Sequence, residues 1–392
     1  MISLKELISK PISGEWGSDG EGIKVLRTTN FTNKGILNFD KVVTRNVSDK
    51  IIEQKKLQKG DIIIEKSGGS PTQPVGRVVY FEEEGDFICN NFTSILRPKR
   101  EKVFPKYLHH ILFANHKFGI TEMFQNKTTG IINLQLTRYL EKSKIPLPSL
   151  ETQKHITKIL DDATDLRNKT EQLLKEYDLL AKSIFSDMFG DPVTNKFNFP
   201  KGSIRDLVND VKYGTSEKAS DEGQYPYLRM NNLTYEGYMD YSSMKYVDIS
   251  DNHLHKYLVE KGDLLFNRTN SKELVGKTAV FDSLEPMVAA GYLIRVRFNK
   301  NANPFFVRAY LNSKYGKLVL RNMCKSIVGM ANINAQELQN IMILHPPIKL
   351  QNQFAEKIDL IEKQKELAKQ ELKESEDLFN CLLQKAFKGE LA

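Results

Sequence analysis

The chain has 392 residues, room for two or three domains at roughly 150 residues each. Hydrophobic residues make up 40% and charged residues 27%, enough apolar material for a core, which excludes global disorder. Lys and Arg number 57 against 49 Asp and Glu, a net charge of +8, and no apolar run approaches the about 20 residues of a membrane span.

Cys89, Cys324 and Cys381 are odd in number and far apart, which excludes a disulfide scaffold or a cysteine zinc site and fits a reducing cytoplasm. Met1–Leu7 contains an acid, Glu6, and no long apolar stretch, so no secretion signal is expected. Charge is unevenly spread. Residues 1–147 carry 23 basic and 16 acidic side chains, and 199–345 carry 19 and 15, whereas 148–198 and 346–392 are slightly acidic. Counterion release rewards clustered positive charge, so the first and third blocks are the candidate polyanion binders.

In chain order, the stretch up to Gly14 scans as an amphipathic helix. Leu26-Arg27-Thr28-Thr29-Asn30-Phe31-Thr32-Asn33-Lys34-Gly35 follows and is matched about 200 residues later by Leu228-Arg229-Met230-Asn231-Asn232-Leu233-Thr234-Tyr235-Glu236-Gly237. Leu26 and Leu228 read as core. Lys59-Gly60-Asp61 opens a β-branched run, as Lys261-Gly262-Asp263 does in the second half. Val75-Gly76-Arg77 recurs as Val275-Gly276-Lys277, and Phe81 as Phe281. Pro105 and Pro304 each begin a segment with helical spacing. Gly130 and Asn133 face Gly329 and Asn332, while Pro146, Leu150 and Gln153 are set against Pro346, Leu350 and Gln353. Matches in one order over most of both halves identify a duplicated two-part unit.

The first part of each unit reads as mixed α/β. The second is helical. Ile156, Ile159, Ala163, Leu166, Thr170, Leu173, Tyr177, Leu180 and Ile184 step by three and four, without Pro or Gly between them. Phe354, Ile358, Ile361, Lys365, Ala368, Leu372, Ser375, Phe379, Leu382 and Ala386 do the same. A narrow period-3.5 stripe on a charged helix is a coiled-coil seam, on the order of 50 Å long. Two such helices in one chain most economically pack on each other, antiparallel if a pseudo-twofold axis relates the units.

The chemistry motifs are mostly missing. The one Pro-Pro, in His345-Pro346-Pro347-Ile348, has the wrong neighbours for a base clamp, and no dinucleotide, P-loop or zincin motif occurs. Asp206, Asp210 and Lys212 resemble a Mg²⁺-nuclease pattern, but the first copy has Glu6, Lys10 and Ile12 there. His109 and His110 read as ordinary helix residues. What recurs is a polar loop after the buried strand. The first copy has Lys66, Ser67, Gly68, Gly69, Ser70, Thr72 and Gln73; the second has Arg268, Thr269, Asn270, Ser271 and Lys272. Cations and hydroxyls suit phosphates, Asn, Gln, Arg and Lys suit base edges, and glycine permits close approach. More weakly, the same reasoning covers Arg27, Asn30, Arg229, Asn231 and Asn232, Arg77 and Lys277, and Lys127 and Thr128 with Lys325 and Ser326. Scaffold positions match between halves and polar loop positions do not, so the two halves are expected to read different short sequences. The competing expectations are a self-contained Mg-dependent nuclease and a coiled-coil scaffold without a nucleic-acid role.

This arrangement resembles the specificity subunit of type I restriction–modification enzymes. The resemblance rests on the tandem α/β-then-helix units, both Lys-Gly-Asp strand starts, and Ile145-Pro146-Leu147-Pro148-Ser149-Leu150-Glu151-Thr152-Gln153 leading into the helix. Phe387-Lys388-Gly389-Glu390-Leu391, echoed by Phe189-Gly190-Asp191, completes it. It implies target recognition domains over 1–147 and 199–345, and helical spacers over 148–198 and 346–392 forming the coiled coil. It also implies double-stranded DNA with a split site as ligand, and two modification subunits as partners, with restriction subunits where present. S-adenosylmethionine, ATP and Mg would belong to those partners, with no cofactor on this chain, and base flipping would be theirs too.

Overall fold

The computed structural model describes residues 1–128, 131–271, 273–327 and 330–391. It divides into unit 1, residues 1–171 with 370–392, and unit 2, residues 172–369. Among the described residues, no helix is long and apolar enough to cross a membrane.

In unit 1, Ile12–Ser13, Thr93–Leu96, Ile62–Glu65 and Val78–Tyr80 form an antiparallel four-stranded sheet in that order. A second sheet runs Val43–Asn46, Ser18–Leu26, Phe87–Cys89, and a third joins Gln125–Thr128, Ile131–Leu134 and Ser67–Gly69. Unit 2 repeats the plan. Val208–Tyr213, Leu293–Phe298, Leu264–Asn267 and Thr278–Val280 make the four-stranded sheet, and Lys325–Ile327, Met330–Asn332 and Thr269–Asn270 the small one. Each Lys-Gly-Asp sequence has a local cause. Gly60 and Gly262 take φ of +97° and +95°, and the aspartate accepts a backbone N–H three residues back, from Gln58 or Glu260. Arg97 and Arg297 then grip Asp61 and Asp263 with two bonds each, at 2.8–3.1 Å.

The predicted first helix is confined to Leu4–Leu7. Residues 204–207 form a 3₁₀ turn, and Val208–Tyr213 is a strand. Val208 and Val211 face inward there, because pairing with Leu293–Phe298 outweighs the local helical pattern.

The two long helices span Leu150–Phe189 and Ile348–Lys388. Inside unit 2, Asp178 meets Lys365 at 2.8 Å while Phe185 and Phe189 pack on Phe354. Inside unit 1, Arg167 stacks on Phe379, and Gly389 lies against Pro146. In both units the helices run antiparallel. Ile156, Ala163, Phe354, Ile358, Ile361 and Phe379 are buried, with Thr170, Lys365, Ala368, Ser375 and Ala386. Tyr177 and Ile184 are partly buried against the core.

Five predicted seam positions are displaced by one residue, four of them on the first helix. Leu166, Leu173 and Leu180 are 42%, 37% and 46% exposed and Ile159 is half-buried; Leu160 and Arg167 are buried instead, and Leu174 and Ala181 are half-buried. Leu383 likewise replaces Leu382 at the centre, and Leu372 is half-buried. The pairs Ile159/Leu160 and Leu173/Leu174 are apolar at both positions, so the three–four stepping is ambiguous by one residue. The helix start removes the ambiguity. Gln153 accepts the Phe104 N–H at 2.8 Å and donates to the Pro148 carbonyl at 2.9 Å. In unit 2, Gln351 makes the same clamp to Asn303 and Pro346. The structural counterpart of Gln153 is therefore Gln351, not Gln353, and Pro148 rather than Pro146 answers to Pro346. Leu160→Ala is expected to cost about 2–5 kcal/mol, and Leu166→Ala no more than about 0.5 kcal/mol, measured by denaturant unfolding.

Candidate nucleic-acid interface

Within each unit the small sheet gathers segments far apart in sequence. In unit 1, Ser67 and Gly69 pair with Asn133 and Ile132, and Lys127 and Thr128 lie on the next strand through their pairing with Ile132 and Ile131. In unit 2, Thr269 pairs with Asn332, which also pairs with Lys325, and Ser326 pairs with Ala331. The backbones of the predicted loop and the predicted hairpin thus meet in both copies. Lys272, Gly130 and Gly329 lie outside the described residues, as do the side chains of Lys127, Thr128, Lys325 and Ser326.

The leading cation is clamped alike in both units. The Lys66 N–H donates to the Phe92 carbonyl at 2.9 Å and its carbonyl accepts from Leu134 at 2.8 Å. Arg268 does the same with Tyr292 and Ile333, at 3.0 and 2.9 Å. The side chains then diverge. Lys66 Nζ donates to Ser13 Oγ at 2.5 Å, while Ser67 Oγ bonds Asn133. Arg268 lies over the Tyr213 ring, 4.7 Å from its centre, and reaches Asn332 Oδ1 at 3.3 Å. Partial burial pulls the Lys66 ammonium below the ordinary lysine range. Gly68, Thr72 and Gln73 are exposed; Gly69, Ser70, Thr269, Asn270 and Ser271 are half-buried. Ser70 and Gln73 exchange backbone bonds that close the loop.

Four candidates move from the contact surface to its support. Asn30 and Asn232 are 3% and 1% exposed, and their amides hold the turns in which they occur. Asn30 accepts from the Arg27 N–H and donates to the Asn38 carbonyl, and Asn232 repeats this with Arg229 and Asp240, each at 2.9 Å. Arg77 pairs with buried Glu65 at 2.8 and 3.0 Å and donates to the carbonyls of Thr28 and Phe31. Lys277 donates to the equivalent carbonyls of Met230 and Leu233, and burial lowers its pKa. These residue types suit DNA contact in sequence, but the interior has used their hydrogen bonds. Arg27 and Arg229 are half-buried and donate to the Lys41 and Ser243 carbonyls; Asn231 is exposed.

The residues of the nuclease pattern are engaged structurally: Lys212 lies 3.6 Å from Asp210. Asp206 accepts from the Ser203 N–H and hydroxyl, and Asp210 is bound by nearly buried Arg295. No group of three or more His, Cys, Asp or Glu that could hold a metal occurs among the described residues. His109 is buried, and His110 bonds Asp161 at 2.8 Å.

The family model of the type I restriction modification DNA specificity domain matches this chain twice, over residues 14–176 and 195–376. The chain belongs to that family. As a specificity chain it is 25% identical over 398 residues to the type I restriction enzyme EcoKI specificity subunit of Escherichia coli K12, covering 94% of this chain and 82% of that one. It is also 25% identical over 290 residues to the MjaVIII specificity subunit of Methanocaldococcus jannaschii, covering 68% and 66%. Its fold resembles the crystal structure of the type I S subunit from M. genitalium, with TM-score 0.56, 15% identity and coverage of 98% and 95%. A chain from a type I R-M assembly structure gives TM-score 0.61 at 16% identity, covering 100% and 97%. The specificity chain is a DNA-specificity protein and not a nuclease.

Sequence reading missed Ser13, Tyr213, Phe92 and Tyr292. Each pair falls at a constant offset of 200, but short polar and aromatic residues carry no DNA signal until the fold brings them beside the cation.

Proposed function

We propose that the specificity chain is the non-catalytic DNA-reading and assembly subunit of a cytoplasmic type I restriction–modification complex. Residues 1–147 and 199–345 each read one half of a split duplex site, and the spacers 148–198 and 346–392 set the separation and hold two modification subunits, with restriction subunits where present. S-adenosylmethionine, ATP and Mg belong to those partners, and this chain binds no cofactor. The observation that carries the reading is the loop at Lys66 and Arg268. The backbone bonds of Lys66 and Arg268 are the same in both units, while the side chains offered differ, as two readers of different half-sites require.

Methylome sequencing of a host carrying this chain with its modification partner tests the reading. A bipartite methylated motif is expected, and replacing residues 1–147 by a homologous block should change one half of it only. No motif, or a change in both halves, defeats the proposal. Lys66→Ala and Arg268→Ala are each expected to weaken binding of the motif duplex by roughly 1–3 kcal/mol if they contact base edges, read by fluorescence anisotropy.

A further inference from the structure

In both units the carbonyl that holds the loop cation belongs to an exposed aromatic residue. Phe92 is 43% exposed and Tyr292 is 52% exposed. Each stands third in a tight turn closed by a backbone bond, from the Thr93 N–H to the Asn90 carbonyl at 3.0 Å and from Leu293 to Ala290 at 2.8 Å. A strand end braces each turn. The Gly14 N–H donates to the Thr93 carbonyl at 3.2 Å, and Gly214 donates to Leu293 at 3.1 Å. Behind the turns, Asn90 and Ala290 donate to the carbonyls of Leu26 and Leu228, both at 2.9 Å. A backbone fastened on three sides fixes the direction in which its side chain leaves the turn. Beside Phe92, residue 68 is glycine; a Cβ there would come to 3.9 Å from the ring, so its absence leaves the ring less covered.

The side chains around these turns differ between the units: Lys66 against Arg268, Ser13 against Tyr213, Ser67 against Thr269. The exposed position stays aromatic although no core requires it. An exposed aromatic ring on a rigid backbone support, in the turn bonded to the cation residue, can stack on a nucleobase; in a duplex this requires a base step to open, and every base so exposed has a π-face.

We propose that Phe92 and Tyr292 are the stacking residues of the two recognition units, each pressing its ring on a base exposed where a step of the duplex opens against the turn that holds Lys66 or Arg268. This rests on the DNA-reading function proposed above and adds what its loops do not supply, a contact that holds the duplex without choosing its sequence. Stacking is indifferent to base identity, so these residues set affinity, and the edge contacts of the loops set the motif.

The test uses the full chain in complex with its modification subunit, and the duplex motif read from the methylome of the wild-type complex. Phe92→Ala and Tyr292→Ala should each weaken binding of that duplex by about tenfold or more. The methylated motif should stay the same and the subunits should still co-purify. Phe92→Tyr and Tyr292→Phe should bind within about twofold of wild type, whereas Phe92→Leu and Tyr292→Leu, apolar but without a π-face, should bind as poorly as alanine. If an alanine variant does not fold, the leucine and aromatic variants at the same position decide. Unchanged affinity, rescue by leucine, an altered motif or loss of the modification subunit each overturn the stacking role while the DNA-reading function stands. A wild-type complex with no motif removes the DNA-reading function itself, and this proposal with it.

Discussion

Glu65→Ala is expected to destabilise unit 1 by about 3–5 kcal/mol, because it breaks a buried ion pair by removing one partner. The Glu65 and Arg77 side chains are only 4% and 11% exposed, and two hydrogen bonds at 2.8 and 3.0 Å join them. With the carboxylate gone, the guanidinium keeps only the longer bonds to the Thr28 and Phe31 carbonyls, 3.3 and 3.4 Å, and its charge has no counterion there. Unit 2 contains the compensated alternative. Asn267 replaces the glutamate, and Lys277 reaches the Met230 carbonyl at 2.6 Å and the Leu233 carbonyl without a carboxylate. The double change Glu65→Asn with Arg77→Lys should therefore recover more than half of the loss. Denaturant unfolding of both variants measures this as a non-additive pair. A loss below about 1 kcal/mol for Glu65→Ala would mean that water or a rearranged turn replaces the carboxylate.

The second large effect is expected at Gly14 and Gly214. A Cβ on Gly14 would come to 2.0 Å from the Asn90 carbonyl oxygen, and one on Gly214 to 2.2 Å from those of Ala289 and Ala290. These obstacles are backbone atoms of the turns that carry Phe92 and Tyr292, so a rotamer change cannot relieve them. Gly14→Ala should cost about 2 kcal/mol or more by forcing the strand end away from the turn. It should also strongly reduce methylation of the bipartite motif in host DNA. Gly214→Ala should do the same from the other unit. Wild-type methylation in a Gly14→Ala chain would show that the turn moves without consequence for recognition.

The duplication, the Lys-Gly-Asp strand starts and the helix starts at Pro105 and Pro304 were legible because each rests on local chemistry. Gly60 and Gly262 need a left-handed backbone, the aspartates close turns on residues three back, and proline has no N–H to lose at a helix N-terminus. The seam was legible as a period and not as a register. Its rotation depends on Gln153 and Gln351, which bond to segments about 50 residues away. Arg167 belongs to the seam because Phe379 lies opposite to receive it, a circumstance the helix itself does not encode.

The candidate interface divides in the same way. The loops after the buried strands were found from residue type and repetition. Whether a polar side chain faces outward was decided by its partners: Asn30 and Arg77 spend their hydrogen bonds on the turn at 27–31, and Asn232 and Lys277 on the turn at 229–233. The sequence alone determined that there are two copies of one scaffold with unlike polar loops on long helical spacers, since repetition, turn glycines and helical period are properties of neighbouring residues. Only the tertiary structure decided which of those polar groups face outward and which aromatic residues fasten the backbone of the cations. Sheet pairing brings residues 13, 66, 92 and 133 together, and burial consumes the hydrogen bonds that a sequence leaves open.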